Sequence, residues 1–186
     1  MEYVSGKDLR VILQKLTRLG ITLPEELSIY LVIKVLEALN YAHAARNSKG
    51  KKLEIVHRDV SPPNILVSYE VQIKLTDFGV SKASTKMHQT LAGALKGKLL
   101  YMSPEQARGE SNIDYRSDLY SAGIILFELI TGEKLFLGSS EIVTLKKVQE
   151  GTVIKPSLVK NDIEPELETI ILKALNKNIT QRYQRA

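Results

Sequence analysis

Three side chains with hard oxygens fall close together in the chain: Asp59, Asn64 and Asp77, set in His57-Arg58-Asp59 and Asp77-Phe78-Gly79. An aspartate is already ionised at neutral pH and can accept or orient the proton of a hydroxyl. A second carboxylate and a neutral amide oxygen suit Mg2+, a hard cation that takes oxygen ligands. Each residue also has an ordinary structural use, as a helix cap for Asp59, a turn residue for Asn64 and a turn for Asp77-Phe78-Gly79. Seven fixed positions at about one in twenty each match by chance on the order of once in 10^9 starts, so the ordinary uses do not explain the set taken together.

In this order and spacing, residues 57–79 resemble the catalytic and metal-binding loops of eukaryotic-type protein kinases, and the resemblance continues to Arg182. It implies transfer of the ATP γ-phosphate to a serine or threonine hydroxyl of a protein substrate, with ATP and Mg2+ as cofactors. Asp59 is then the catalytic aspartate, and Asn64 and Asp77 are the metal ligands. Phosphoryl transfer passes through a loose transition state and needs alignment and charge neutralisation more than covalent chemistry, which accounts for these residue types. Val60-Ser61-Pro62-Pro63 and Tyr101-Met102-Ser103-Pro104-Glu105-Gln106 resemble bacterial members most. Pro62, with no tyrosine-kinase loop pattern, implies a serine/threonine preference.

The resemblance assigns further roles. The backbone at Glu2 and Val4 would meet the adenine edge, Asp8 would face the ribose, and Leu66 would pack under the adenine ring. Arg58 would receive a phosphate on the activation segment, residues 79–105, with Thr90 the first candidate and Thr85 or Ser84 behind it. Asp118 would accept backbone N–H groups from the His57-Arg58 region, and Glu105 would pair with Arg182. Three departures stand out. Ser61 and Lys98 occupy positions where the family usually has lysine and threonine, and Asn178-Ile179 replaces a common aspartate and proline. The first two imply a reciprocal exchange, in which Lys98 returns its ammonium to the γ-phosphate and Ser61 supplies the hydroxyl.

The chain opens at the likeness to the family's ATP hinge, residues 1–8, and contains no glycine-rich phosphate cover ahead of the catalytic loop. The whole chain, 1–186, is therefore expected to be the carboxy-terminal lobe of a kinase domain. An amino-terminal lobe would be supplied in cis or in trans. The alternative is a non-catalytic module, a pseudokinase-like or split-kinase regulatory partner.

The elements that must position these residues are mostly helical. Leu9, Ile12, Leu13, Leu16 and Leu19 recur at helical spacing and stop at Gly20. Thr22-Leu23-Pro24-Glu25 has the form of a capping box opening a helix to about Ala45, with Leu27, Leu31, Val35 and Leu39 as its apolar positions and His43 a packed or surface histidine. Met1 to Gly6, Ile55-Val56, Ile65-Leu66-Val67 and Val71 to Leu75 read as short strands. The most hydrophobic helix, residues 114–131, ends at Gly132 and resembles the buried central helix of the kinase large lobe, with Asp118, Ser121 and Gly123 in register. Helices over Ser140–Glu150 and Pro165–Asn176 complete a mainly α lobe with a small β element, an α+β class.

Composition excludes several function classes. The 186 residues carry a net charge of +5 with lysines and arginines scattered, so a nucleic-acid partner is not expected. The chain has no cysteine, which removes disulfides and thiolate metal sites and fits a reducing, cytoplasmic setting. Ala122 to Ile130 is interrupted by Glu128 and falls short of the ~20 residues that span a bilayer, so no membrane contact is expected of this segment.

Overall fold

The computed structural model describes residues 3–78 and 97–186. Among them the order is β1 (Gly6–Asp8), α1 (Leu9–Leu19), α2 (Glu25–Ala44), β2 (Ile65–Ser68), β3 (Ile73–Leu75), α3 (Pro104–Ala107), α4 (Arg116–Thr131), α5 (Glu141–Glu150) and α6 (Pro165–Ala174). Helices dominate and one small sheet accompanies them, the α+β arrangement read from the sequence.

The core forms around α4. Every residue from Ser117 to Thr131 is buried, as expected of a helix that is apolar on all sides, and α2 and α6 pack against it. A Cβ on Gly123 would lie 3.0 Å from Ala174 Cβ, so the missing side chain sets how closely α4 and α6 approach. Gly132, at φ 77°, ends the helix in the left-handed conformation that glycine adopts without steric cost.

Three local expectations fail for identifiable reasons. No capping box forms at Thr22: Pro24 is the N-cap and Glu25 the first helical residue. A residue preceding proline is disfavoured in the α region, so Leu23 cannot serve as the first turn that a Thr22 cap requires. Leu27 is exposed, because it lies in the first turn of α2, about 80° from the centre of the buried stripe through Ser28, Leu31, Val35, Leu39 and Ala42. Ile55-Val56 lies outside any strand, and the residues after it bond to α4 instead of to a sheet.

The sheet runs β1-β2-β3, antiparallel throughout, with β2 in the middle. Its first strand starts at Gly6, later than the sequence suggested, and a Cβ there would sit 2.1 Å from the Val67 carbonyl oxygen. Backbone cannot rotate away as a side chain can. Gly6→Ala is expected to cost about 1–3 kcal/mol through this overpacking. Thermal unfolding checks it; an unchanged melting temperature would mean that β1 and β2 approach less closely.

Among the described residues, no helix is long and apolar enough to cross a membrane.

Candidate active site

The β2–β3 hairpin creates the site's geometry. Its ladder pairs Val67 with Ile73, Leu66 with Lys74 and Ile65 with Leu75. One step beyond, the Asn64 carbonyl accepts the Thr76 N–H at 2.9 Å and the Thr76 hydroxyl at 3.2 Å. Asn64 and Asp77 thus flank the same end of one hairpin. Asn64 Nδ2 donates to the Asp59 carbonyl at 2.8 Å, which ties the third residue to the same place.

The backbone around Asp59 is held from three sides. Asp118, almost fully buried at the start of α4, accepts the His57 N–H at 2.9 Å on Oδ2 and the Arg58 N–H at 2.8 Å on Oδ1. Gln106 Nε2 donates to the Arg58 carbonyl at 2.9 Å. His57 Nε2 meets the Thr76 carbonyl at 2.8 Å, and Asp59 N–H faces His57 Nδ1 at 3.3 Å. A carbonyl can only accept, so the ring proton sits on Nε2 and Nδ1 is free to receive the amide. Phe78 packs edge-on against this ring with centroids 4.5 Å apart.

Two non-glycine residues here adopt left-handed backbone, Arg58 at φ 66° and Asp77 at φ 62°. Such conformations cost on the order of 1–3 kcal/mol each and persist where surrounding contacts fix them. For Arg58 those contacts are Asp118 and Gln106. The strain falls at the two aspartate-bearing turns, next to the chemistry.

Lys98 Nζ lies 2.6 Å from Asp59 Oδ2, while Ser61 Oγ makes looser contacts at 3.4 Å to Asp59 Oδ1 and 3.5 Å to the Asp59 carbonyl. Both unusual residues of the sequence therefore converge on one carboxylate. The Lys98 side chain remains half exposed.

Asp77 is exposed, and the Asn64 amide, with Nδ2 committed to Asp59, keeps Oδ1 without a partner among the described residues. One carboxylate and one amide oxygen fit Mg2+, which usually keeps waters and substrate phosphates as its remaining ligands. They do not fit a dense all-protein cage. Among the described residues no group of three or more histidine, cysteine, aspartate or glutamate side chains could hold a metal.

The hinge residues are less gathered. Asp8 caps α1 by accepting the Val11 N–H at 3.0 Å, and Arg10 approaches it at 3.4 Å. Leu66, half-buried, lies between Asp8 and Lys74 in the sheet, and Val4 is half-buried ahead of β1. Glu2, Ser84, Thr85 and Thr90 lie outside the described residues, as does most of the expected activation segment.

The segment's far end is firmly anchored. Ser103 caps α3 in a capping box with Gln106, and Glu105 in that helix forms a bidentate pair with Arg182 at 2.7 and 2.9 Å. Both side chains are buried. Burial pushes the Glu105 carboxyl up, but hydrogen bonds and charge from Arg182 outweigh it and hold the group below its usual range.

Several contributors escaped the sequence reading. His43 is neither simply packed nor a surface residue: its Nε2 meets Asp118 Oδ2 at 2.8 Å from 75 positions away. No spacing signal marks such a pair. Buried Glu128 accepts from the Tyr101 hydroxyl, and burial pushes both groups up. The apolar run around Glu128 concealed it, although a lone acid inside such a run was itself a signal.

Comparison with known proteins identifies the family of the chain. The protein kinase domain family matches residues 1–185. The chain is 35% identical over 186 residues to the tyrosine-protein kinase MasK of Myxococcus xanthus, covering all of this chain and 29% of that protein. It is 41% identical over 187 residues to a probable serine/threonine-protein kinase of Clostridium perfringens, covering 100% of this chain and 25% of that one. With the serine/threonine-protein kinase PknB of Mycolicibacterium smegmatis it shares 41% over 189 residues, again all of this chain and 28% of the relative. The chain thus spans between a quarter and a third of the length of these relatives. Its match along nearly the whole sequence places this chain in the protein kinase domain family.

Proposed function

We propose that the chain is the carboxy-terminal lobe of a serine/threonine protein kinase, acting with an amino-terminal lobe supplied in cis or in trans. The observation that carries this reading is the meeting of Asp59, Asn64 and the Thr76-Asp77 turn at one end of the β2–β3 hairpin. Asp59 orients the acceptor hydroxyl and takes its proton. Asn64 and Asp77 would hold Mg2+, which would neutralise charge on the phosphates of ATP, the phosphoryl donor that leaves as ADP. Val4 and Leu66 contribute to the adenine site, and Asp8 to the ribose side. Arg58 receives a phosphate on Thr90 or Thr85.

Serine/threonine preference rests on Pro62 and on the names of two of the relatives, while MasK is named a tyrosine-protein kinase. The test is transfer of labelled γ-phosphate to protein substrates by the chain with an amino-terminal lobe, followed by phosphoamino-acid analysis. Label on serine or threonine supports the reading; label on tyrosine alone moves the specificity. No transfer by any combination would favour the second reading, a regulatory binding module. That reading draws on the Lys98 ammonium being seated on the Asp59 carboxylate.

Within the first reading, Lys98 leaves Asp59 for the γ-phosphate while Ser61 keeps a hydroxyl beside the aspartate. Its half-exposed side chain is free to re-aim. Ser61→Lys or Lys98→Thr alone should lower transfer by about 10²-fold, the usual effect of losing one transition-state donor. The pair together should recover most of that loss. Additive losses in the same assay would refute the exchange.

A further inference from the structure

A groove of about 750 Å3 runs beside the Asp59 loop, and its wall includes Ser61, Asn64 and Lys98, all in contact with Asp59. One face of α1 also lines the groove. Leu9, Ile12 and Leu13 of this helix pack toward the core, whereas Arg10, Gln14, Thr17 and Arg18 follow at i, i+4, i+7 and i+8 and line the groove, with Leu13 at its edge. Lys134, just after α4, lines it as well. Four cationic side chains, Arg10, Arg18, Lys98 and Lys134, therefore surround it, against Glu128 as the sole acid among the described lining residues.

Two of these cations, Arg10 and Arg18, are poorly neutralised, whereas Lys98 is paired with Asp59 at 2.6 Å and Lys134 lies within the field of Glu128. Arg18 has no hydrogen bond or ion pair among the described residues, and it is exposed. Arg10 is 56% exposed in its side chain and has only the long 3.4 Å contact to Asp8. Glu128 is buried and accepts from Tyr101; its charge acts on Lys134 but is not paired with Arg10 or Arg18. Pro63 and Leu137, both exposed, supply apolar contact surface in the groove.

We propose that this groove selects protein substrates bearing acidic side chains near the phosphoacceptor, with Arg10, Arg18 and Lys134 as the specificity-determining residues. The inference rests on the kinase reading for the identity of the acceptor, but the charge preference is a property of the groove itself. Arg10 and Arg18 are eight residues apart on α1, or roughly 12 Å at 1.5 Å per residue. An extended peptide covers that distance in about four residues at ~3.3 Å each. The spacing favours a segment with two acidic residues three or four positions apart. Lys98 is shared with the catalytic loop and couples the groove to Asp59.

Fluorescence anisotropy with labelled serine peptides tests this directly, because it needs no phosphate transfer. One peptide carries glutamates at that spacing, a second carries lysines in their place, and a third probe is a single-stranded oligonucleotide of similar length. The glutamate peptide is expected to bind the chain at least 10-fold tighter than the lysine peptide. Arg18→Glu with Lys134→Glu should abolish or invert that ratio, while Lys146→Glu, an exposed reversal on α5, should not. Circular dichroism melting confirms that the variants remain folded; both altered groove residues are exposed, and Arg10→Glu offers an independent reversal. Equal binding of the two peptides, no binding of either, tighter binding of the oligonucleotide, or a ratio unmoved by the groove reversals would overturn the proposal. Loss of phosphate transfer with the charge preference intact would instead overturn the kinase reading and leave the groove's selectivity standing.

Discussion

Asp59→Asn is expected to lower the rate of γ-phosphate transfer by about 10²–10⁴-fold, the usual contribution of a positioned proton acceptor. It should leave the fold almost unchanged. Asn64 bonds to the main-chain carbonyl of Asp59, not its carboxylate, so this tie survives the substitution. Asp118 and Gln106 hold the preceding residues through backbone groups as well. The contact that is lost, to Lys98, involves a half-exposed partner, and such pairs contribute about 0–1 kcal/mol. A single-turnover assay of the chain supplied with an amino-terminal kinase lobe, beside thermal unfolding of the same variant, separates the two effects. A rate within a few-fold of wild type would remove Asp59 from the chemistry.

Arg182→Met should produce the largest stability loss, about 3–5 kcal/mol at neutral pH, because it strands the Glu105 carboxylate in the interior. The arginine also donates to the carbonyls of Asn176 and Arg116 and stacks over Tyr120 at 4.5 Å. For a domain of this size, that loss lowers the melting temperature by on the order of 10 °C. Glu105→Gln combined with Arg182→Met should cost less than the sum of the single changes, since no buried charge is left alone.

The pH dependence has a definite sign. In the fold the Glu105 carboxyl is held below its ordinary value, which is about 4.3 for an unfolded glutamate. Its contribution is fully present above that value and is lost as pH falls through the folded one. Acidification should therefore destabilise wild type through this pair. The deficit of Arg182→Met relative to wild type should shrink over the same range, because protonation removes the stranded charge. Denaturant midpoints between pH 7 and pH 3 measure it; a deficit that stays constant with pH would place the cost in packing around Tyr120 instead.

The two halves of the site differ in how far they could be read from residues alone. Asp59, Asn64 and Asp77 were legible because they lie close in sequence and the hairpin between Asn64 and Asp77 is local. The buried pair of Glu105 with Arg182 was legible only through family resemblance, since 77 positions separate the partners. Resemblance also pointed to Asp118 as the acceptor for the His57-Arg58 backbone, but not to His43, which shares the same carboxylate. The false capping box at Thr22 shows the opposite case. The motif was present, and proline at its third position prevented the conformation it needed.

The sequence by itself determined the residue types carried by the loops, the α+β class and the approximate span of each long helix. Spacing of apolar residues, glycine stops and ligand types act over one or two turns of chain, so these features are carried locally. Only the tertiary structure decided that Lys98 and Ser61 meet on Asp59, and that the charged face of α1 lines one groove together with Lys134. Those residues are joined by packing around α4 and by the path of the intervening chain, and no local periodicity specifies how far apart two distant side chains come to rest.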